Sequence, residues 1–143
     1  MVVDVIIPVY RPEREKLTKL IDWLNKQTVK PSRVFFMQTL VEKNEDEEVL
    51  QMLQKAENVE IVPIEKKDFD HGGTRNKGAA LSKADYMLFM TQDAVPVDAY
   101  LIENLVQAME EEEAATAYGR QLPDDTVGVI EPVSYTHLTL PTT

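Results

Sequence analysis

The chain contains no cysteine among its 143 residues, so disulfide bonds and thiolate metal sites are excluded. No apolar run approaches the roughly 20 residues that a membrane-spanning helix requires. Residues typical of a strand begin at Val2, which leaves no room for the basic and apolar regions of a secretory signal. We therefore expect a cytoplasmic protein without a transmembrane segment.

Positive charge is also scarce, because 15 Lys and Arg stand against 25 Asp and Glu, for a formal net charge of −10. Affinity for nucleic acid comes largely from Lys and Arg that neutralise phosphates, so we expect no nucleic-acid partner. One local concentration of positive charge stands out against this background. It consists of Lys66, Lys67, Arg75 and Lys77.

Apolar residues make up 43% of the chain and charged residues 28%, a composition typical of a soluble globular protein of one domain. Short β-branched and apolar runs alternate with segments of helical periodicity. The runs predict strands over 2–10, 33–40, 59–64, 86–90 and 115–118, and the periodic segments predict helices over 13–27, 46–56, 74–82 and 96–113.

This alternation predicts an α/β fold with a mainly parallel sheet flanked by helices. Because right-handed crossovers bring the carboxyl ends of parallel strands to one edge, the loops after the strands should meet there. Those loops are residues 8–12, 38–43, 65–73 and 91–97. Polar residues in them are therefore candidates for one common site.

Residues 69–94, FDHGGTRNKGAALSKADYMLFMTQDA, join a glycine pair, an Arg-Asn pair, an apolar run and a single carboxylate. Asp93, in the loop after the fourth strand, could hold Mg²⁺ or Mn²⁺ against the phosphates of a nucleotide, or it could be a turn residue. Arg75 and Asn76 follow the glycines, where a helix start and a guanidinium suit an anion. An ordinary helix start with an exposed Arg is the alternative.

Other side chains at the same edge could contact a nucleotide base. Tyr10 could stack on a base or be a tyrosine at the border of the core. Gln38 could offer its amide to a pyrimidine edge. His71 could donate to a phosphate or to the backbone of its own loop, and we assign it no catalytic role.

Four motifs, VDVIIPVYRPE, HGGTRNKGAA, YMLFMTQDAVP and AYGRQLP, occur in an order and spacing that resemble the family 2 glycosyltransferases, and within them the rhamnosyltransferase-like branch. The resemblance covers about residues 3–131. It implies the Rossmann-like, nucleotide-sugar-binding half of an A-type glycosyltransferase fold. It also implies a divalent metal, Mg²⁺ or Mn²⁺, as cofactor.

The resemblance places the turn after the first strand against the base and ribose, Arg75 on the base or phosphates, and Asn76 as a brace of its loop. The GRQ sequence lies near the donor sugar or the acceptor entrance, although Arg120 could equally be a surface residue. The second strand departs from the family, because an acidic run is replaced there by Met37-Gln38-Thr39. The donor-binding candidates are Pro8, Tyr10, Gln38, Arg75, Asn76, Gln92 and Asp93, and the entrance candidates are Arg120 and Gln121.

The function implied is metal-dependent, inverting transfer from a nucleotide-sugar, dTDP-L-rhamnose, to a cell-surface polysaccharide acceptor. The acceptor could be lipid-linked, which would place the protein peripherally at the inner membrane face. No residue is assigned as the catalytic base, so we expect residues 1–131 to be a truncated donor-binding part that is inactive alone. Residues 132–143, PVSYTHLTLPTT, carry no charge, and we expect a non-native tail.

A non-catalytic α/β interaction module is the alternative function, with the acidic helices and an exposed sheet edge as its binding surfaces. A nucleotidyltransferase would share the nucleotide edge. Such an enzyme usually needs a glycine-rich loop after its first strand, and PVYRPERE contains no glycine.

Overall fold

The structure, a computed structural model, describes residues 2–11, 13–40, 51, 58–68, 70–92, 94–113, 116–121 and 129–134. The chain divides into two compact units. The first unit contains Met1–Leu17 and Pro31–Gln92, and the second contains Thr18–Lys30 and Asp93–Thr143.

A parallel four-stranded sheet forms the centre of the first unit. Its strand order is β3-β2-β1-β4, and every neighbouring pair is parallel. The strands are β1 (Val3–Val9), β2 (Arg33–Leu40), β3 (Val59–Glu65) and β4 (Tyr86–Phe89). The prediction of a mainly parallel α/β sheet is therefore confirmed.

Strand β1 is central and buried, as its β-branched run predicted, with Val5, Ile6 and Ile7 fully inaccessible to solvent. Strands covered on both faces are expected to be continuously apolar, because each face packs against a hydrophobic layer. One core cluster lies on this sheet and includes Ile6, Phe35, Met37 and Ile64, with Val62 and Ala79 packed against it.

The helices of the described residues are α1 (Arg14–Asn25), α2 (His71–Leu81) and α3 (Leu101–Glu111), and a 3₁₀ turn covers Lys66–Asp68. Leu17, Leu20 and Leu24 are buried and form an apolar stripe along α1, the helix predicted over 13–27. The helix predicted over 46–56 lies outside the described residues except for Gln51, which is helical.

Helix α2 begins three residues earlier than its sequence pattern predicted, at His71 and not near Thr74. The cause is Asp70, whose side chain accepts a hydrogen bond from the backbone N–H of Gly73 at 3.0 Å. A carboxylate at this position satisfies a free amide and stabilises a helix start. Both glycines of the pair consequently lie inside the first turn of α2.

Helix α2 approaches β1 closely at Gly78. A Cβ atom added there would lie 2.6 Å from Ile6 Cγ2 and 3.4 Å from Met37 Sδ. A glycine at this position therefore sets how near the helix can lie to the sheet, and the helix is held with its N-terminus toward the carboxyl ends of the strands.

The second unit contains a three-stranded sheet of order β5-β7-β6, in which β5 and β7 are parallel and β6 and β7 antiparallel. Its strands are β5 (Val95–Pro96), β6 (Ala117–Gln121) and β7 (Val129–Ser134). The short strand predicted over 115–118 corresponds to β6, whereas β5 and β7 were not predicted. Residues 132–134 of the segment expected to be a tail lie in β7, and residues 135–143 lie outside the described residues.

Helix α3 begins at Leu101, later than predicted, because Pro96 belongs to β5. The side chain of its N-cap residue, Tyr100, makes no capping hydrogen bond. The buried Gln27 does so instead, since its Oε1 accepts from Ile102 N at 3.2 Å and its Nε2 donates to Asp98 O at 2.8 Å. This contact between distant residues fixes the start of α3.

Candidate functional site

The chain places β2 and then β3 on one side of β1, and afterwards returns to place β4 on the other side of β1. The strand order of the first unit therefore reverses between β1 and β4. Ligands of open α/β sheets bind in the crevice outside the carboxyl ends of strands at such a reversal. Strand β1 ends at Val9 and β4 at Phe89. The segments that follow them therefore form the first place to search for a site.

The two segments are joined by one side chain. Gln92 Oε1 accepts a hydrogen bond from Tyr10 N at 2.7 Å, and Gln92 Nε2 donates to Tyr10 O at 3.0 Å. Both donor-binding candidates thus lie together at the reversal point. The side-chain amide of Gln92 thus contacts the backbone of Tyr10. The residues next to Gln92 in the sequence do not predict this contact.

The turn after β1 has an unusual backbone. Arg11 has a φ of 44°, a left-handed conformation that is uncommon for residues other than glycine. Its guanidinium carbon lies 5.5 Å from the centroid of the Tyr10 ring, within the range of a cation–π contact. Tyr10 is 37% exposed, so the residue is partly accessible to solvent at this edge.

The end of β2 carries buried polar side chains. Gln38 is 0% exposed and Thr39 is 1% exposed. Gln38 Nε2 has a long hydrogen bond of 3.4 Å to Thr39 O, while Gln38 Oε1 and Thr39 Oγ1 have no partner among the described residues. Buried polar atoms are nearly always paired, so a polar partner other than the described residues is expected for these two atoms.

A third atom of this kind belongs to α2. Thr74 is 3% exposed, and its Oγ1 has no partner within the described part of the chain. Thr74 precedes Gly78 by four residues, which places it about 6 Å, or one helical turn, nearer the carboxyl edge of the sheet. Strand β2 and helix α2 therefore both bring buried oxygens that have no partner among the described residues toward the carboxyl edge of the sheet.

Arg75 and Asn76 lie in the second turn of α2, not in the first as predicted, because the helix starts at His71. Arg75 is partly buried and Asn76 is exposed. The first turn is a weaker anion site than the sequence suggested, since Asp70 brings a carboxylate to it and occupies the Gly73 amide.

The remaining candidates are described only in part. Asp93 lies outside the described residues, directly after Gln92, and nothing is assigned to the His71 side chain. Arg120 and Gln121 lie in β6, where they pair with Glu131 and Ile130 of β7. Pro8 is partly buried in β1, beside Met37 of β2.

Within the described residues, no group of three or more acidic or histidine side chains is arranged to hold a metal ion. The same residues include no helix that combines the length and apolar character needed to cross a bilayer.

Comparison with known proteins identifies the family. The profile of "Glycosyl transferase family 2" matches residues 4–138. The O-antigen chain rhamnosyltransferase RfbN of Salmonella typhimurium is 33% identical over 124 residues, which is 86% of this chain and 38% of that protein. The O-antigen chain rhamnosyltransferase WbaN of Salmonella anatum is 28% identical over 119 residues, 82% of this chain and 36% of that protein. The chain thus spans little more than a third of these relatives.

Solved structures confirm the fold. Staphylococcus aureus TarS 1-349 matches 87% of this chain and 39% of its own length, with a TM-score of 0.64 at 18% identity. The same protein in complex with UDP-GlcNAc matches 87% of this chain and 37% of its own length, with a TM-score of 0.61 at 16% identity. The predicted A-type fold and the predicted family resemblance are confirmed, and the chain belongs to glycosyl transferase family 2.

Proposed function

We propose that the chain is the donor-binding part of a glycosyltransferase that takes a nucleotide-sugar, dTDP-L-rhamnose, and transfers the sugar to a polysaccharide acceptor. The observation that carries the proposal is the reversal point of the sheet, where Gln92 joins the segment after β4 to Tyr10 after β1. Family membership and the similarity to two O-antigen chain rhamnosyltransferases support the sugar. The match to TarS in complex with UDP-GlcNAc supports a nucleotide-sugar as the class of donor.

The nucleotide base is proposed to lie between Tyr10 and the end of β2. Tyr10 is exposed enough to stack on a pyrimidine. Gln38 Oε1, which has no partner among the described residues, is proposed to accept the single N–H of the base imide once the adjoining chain admits the base. Because this atom is buried, base binding requires a local rearrangement at this edge.

The diphosphate is proposed to lie near Arg75 and Asp93. Arg75 supplies a planar pair of donors that suits phosphate oxygens, and Asn76 braces the same turn. Asp93 is the single carboxylate of the motif. The neighbouring Gln92 amide is already bonded to Tyr10. One carboxylate, completed by phosphate oxygens and water, fits Mg²⁺ or Mn²⁺ that arrives with the nucleotide.

The reaction proposed is displacement at the anomeric carbon with inversion. An acceptor hydroxyl loses its proton to a base and forms the new bond to the sugar, while the bond from the sugar to the diphosphate breaks. A bound metal ion would neutralise charge on the departing diphosphate, and Arg75 would hold that group. The base itself is unassigned, and Arg120 and Gln121 are proposed to lie near the sugar or the acceptor entrance.

The chain spans 38% of RfbN, so the activity of the whole protein is part of the proposal. We expect residues 1–131 to bind donor and to transfer little or no sugar alone, and residues 132–143 to contribute nothing to the site. The acceptor is proposed to be a saccharide, lipid-linked where the protein works at the inner membrane face, with the chain in the cytoplasm.

Calorimetry with dTDP tests this function. We expect the chain to bind dTDP more tightly with Mn²⁺ than without it, and Asp93→Ala to weaken the metal-dependent binding at least about tenfold, which corresponds to 1.4 kcal/mol. Asp85→Ala is the matched control, because Asp85 is an exposed carboxylate that accepts a hydrogen bond from Val2 N at the opposite edge of the sheet. Metal-dependent dTDP binding that is unchanged in Asp93→Ala would show that Asp93 is not the metal ligand.

An interaction module is the second candidate, and β4 favours it. This strand lies at the border of the described four-stranded sheet and exposes Met87 and Phe89. Exposed apolar strands at a sheet border promote association. Size-exclusion chromatography with light scattering separates the candidates, since association predicts a mass that rises with concentration and no thermal shift with dTDP and Mn²⁺.

A further inference from the structure

We propose that Gln92 is a positioning residue, which fixes the turn after β1 through its side-chain amide and does not itself bind the donor. This inference rests on the proposed function, because it explains how the donor-binding turn is held in place. Its physical basis is the hydrogen bonding of the β1 backbone on the side that faces β4.

Alternate residues of a parallel strand direct their N–H and C=O groups to the same neighbouring strand. Met90 N donates to Ile6 O at 3.0 Å, so Ile6 directs its backbone groups toward β4, and Pro8 and Tyr10 should do the same. Pro8 has no N–H to donate, and the pairing of β1 with β4 ends where Ile6 pairs with Phe89. The two strands therefore separate from this point.

Gln92 restores the missing connection two positions beyond Pro8. Its amide replaces a strand partner, because it accepts from Tyr10 N at 2.7 Å and donates to Tyr10 O at 3.0 Å. Both polar ends of the amide are occupied by backbone groups. A direct bond from Gln92 to a nucleotide or a metal ion would have to compete with these contacts.

This pair of hydrogen bonds, which we call the Gln92 clamp, has two consequences for the site. It holds Tyr10 directly before the left-handed residue Arg11, a conformation that surrounding contacts must maintain. It also restrains the chain immediately before Asp93. One side chain thereby sets the position of the base-stacking candidate and restrains the residue that precedes the metal-ligand candidate in the sequence.

Two substitutions of Gln92 in the full chain test the clamp. Gln92→Ala removes both hydrogen bonds. Gln92→Glu keeps an acceptor for Tyr10 N but sets a carboxylate oxygen against Tyr10 O, so it removes the second bond. Gln51→Glu is the control for added charge, because Gln51 is exposed.

The first readout is the hydrogen-exchange rate of the Tyr10 amide, which NMR measures. The clamp predicts exchange about fivefold faster in Gln92→Ala, since a net hydrogen bond is worth about 1 kcal/mol. Gln51→Glu should leave the rate unchanged. An unchanged rate in Gln92→Ala would overturn the clamp.

The second readout is the affinity for dTDP and Mn²⁺ by calorimetry. A positioning role predicts affinity about 5- to 10-fold lower in both Gln92 variants, even though Gln92→Glu adds a carboxylate beside Asp93. If Gln92 were a ligand, the added carboxylate would strengthen Mn²⁺ binding, and that result would overturn the proposal. Faster Tyr10 exchange with unchanged dTDP affinity would overturn it as well.

The two proposals fail in distinguishable ways. A chain that folds but does not bind dTDP with Mn²⁺ contradicts the proposed function and with it the effect of Gln92 on donor binding. The exchange rate of the Tyr10 amide would still decide whether the clamp exists.

Discussion

The four-stranded sheet has an amino edge, where its strands begin, and a carboxyl edge, where they end. The two edges differ in whether their buried polar groups have hydrogen-bond partners. At the amino edge, Asp4 is 1% exposed and is fully engaged, because Ser82 Oγ donates to it at 2.7 Å, Arg33 N donates at 3.1 Å, and the Arg33 guanidinium lies 3.9 Å away. At the carboxyl edge, Gln38, Thr39 and Thr74 each have a buried oxygen without a partner among the described residues.

This difference supports the proposal that the amino edge stabilises the sheet and the carboxyl edge binds the donor. A buried polar network contributes to stability when every member is satisfied, and an unsatisfied group costs about 1–3 kcal/mol. Proteins often tolerate such a cost at functional sites. We therefore interpret the amino edge as structural and the carboxyl edge as the place where a ligand supplies the missing partners.

Arg33 extends the amino-edge network to neighbouring elements. Its guanidinium donates to Glu60 of β3 at 3.2 Å and to Leu81 O at the end of α2 at 3.3 Å, and it stacks 4.8 Å from the Phe35 ring centroid. One side chain thus ties β2 to β3 and α2.

The largest effect is expected for Asp4→Ala. This change leaves the Ser82 hydroxyl and the Arg33 amide without their shared acceptor, so we expect the free energy of unfolding to fall by about 2–4 kcal/mol. Urea denaturation measures it. Glu60→Gln is the control, because Glu60 is exposed and its ion pair with Arg33 should contribute less than about 1 kcal/mol. Equal losses in the two variants would contradict the assignment of the amino-edge network.

Gly78→Ala tests how α2 is held between the two edges. The added methyl group would lie 2.6 Å from Ile6 Cγ2, so the Ile6 side chain or the helix must shift, and we expect a loss of about 1–3 kcal/mol in the free energy of unfolding. Gly72→Ala is the matched control, since a Cβ there meets no atom within 4 Å. Gly72→Ala should leave the stability unchanged or slightly raised. A well-tolerated Gly78→Ala would contradict the close packing of α2 on β1.

The smallest effects come from removing one hydroxyl at each edge. Ser82→Ala should lower the free energy of unfolding by about 1–2 kcal/mol, because the hydroxyl donates to a buried carboxylate. Thr39→Val should leave it unchanged or raise it by up to about 1 kcal/mol, since an unpaired buried hydroxyl is replaced by a methyl group of similar shape. Opposite signs for the two changes would sharpen the comparison, and a destabilising Thr39→Val would show that its hydroxyl is satisfied.

Much of the fold follows from local patterns in the sequence. The β-branched run of β1 and the leucine spacing of α1 were sufficient, because burial of a strand or of one helix face repeats with a fixed period. The start of α2 was misplaced because the glycine pair was interpreted as a loop. Asp70, three residues before Gly73, was the available signal of an N-cap.

The contacts that define the candidate site were harder to predict. Gln92 bonds to Tyr10 across 82 positions of the chain, and Gln27 caps α3 across 75. Such pairs depend on the assembled fold and leave no local pattern. The buried Asp4 did leave one, since it is an acidic residue inside a run of β-branched residues, and such a residue needs partners that only the folded chain supplies.

The central claim is that the carboxyl edge holds the nucleotide and its metal, and paramagnetic broadening of NMR signals by Mn²⁺ tests it most directly. With dTDP present, the account predicts that Mn²⁺ broadens the amide signals of Tyr10, Gln38 and Gln92 and leaves those of Asp4 and Ser82 sharp, with dTDP and Mg²⁺ as the diamagnetic reference. Broadening that is independent of dTDP, or that is as strong at Asp4 and Ser82 as at Tyr10, would contradict it.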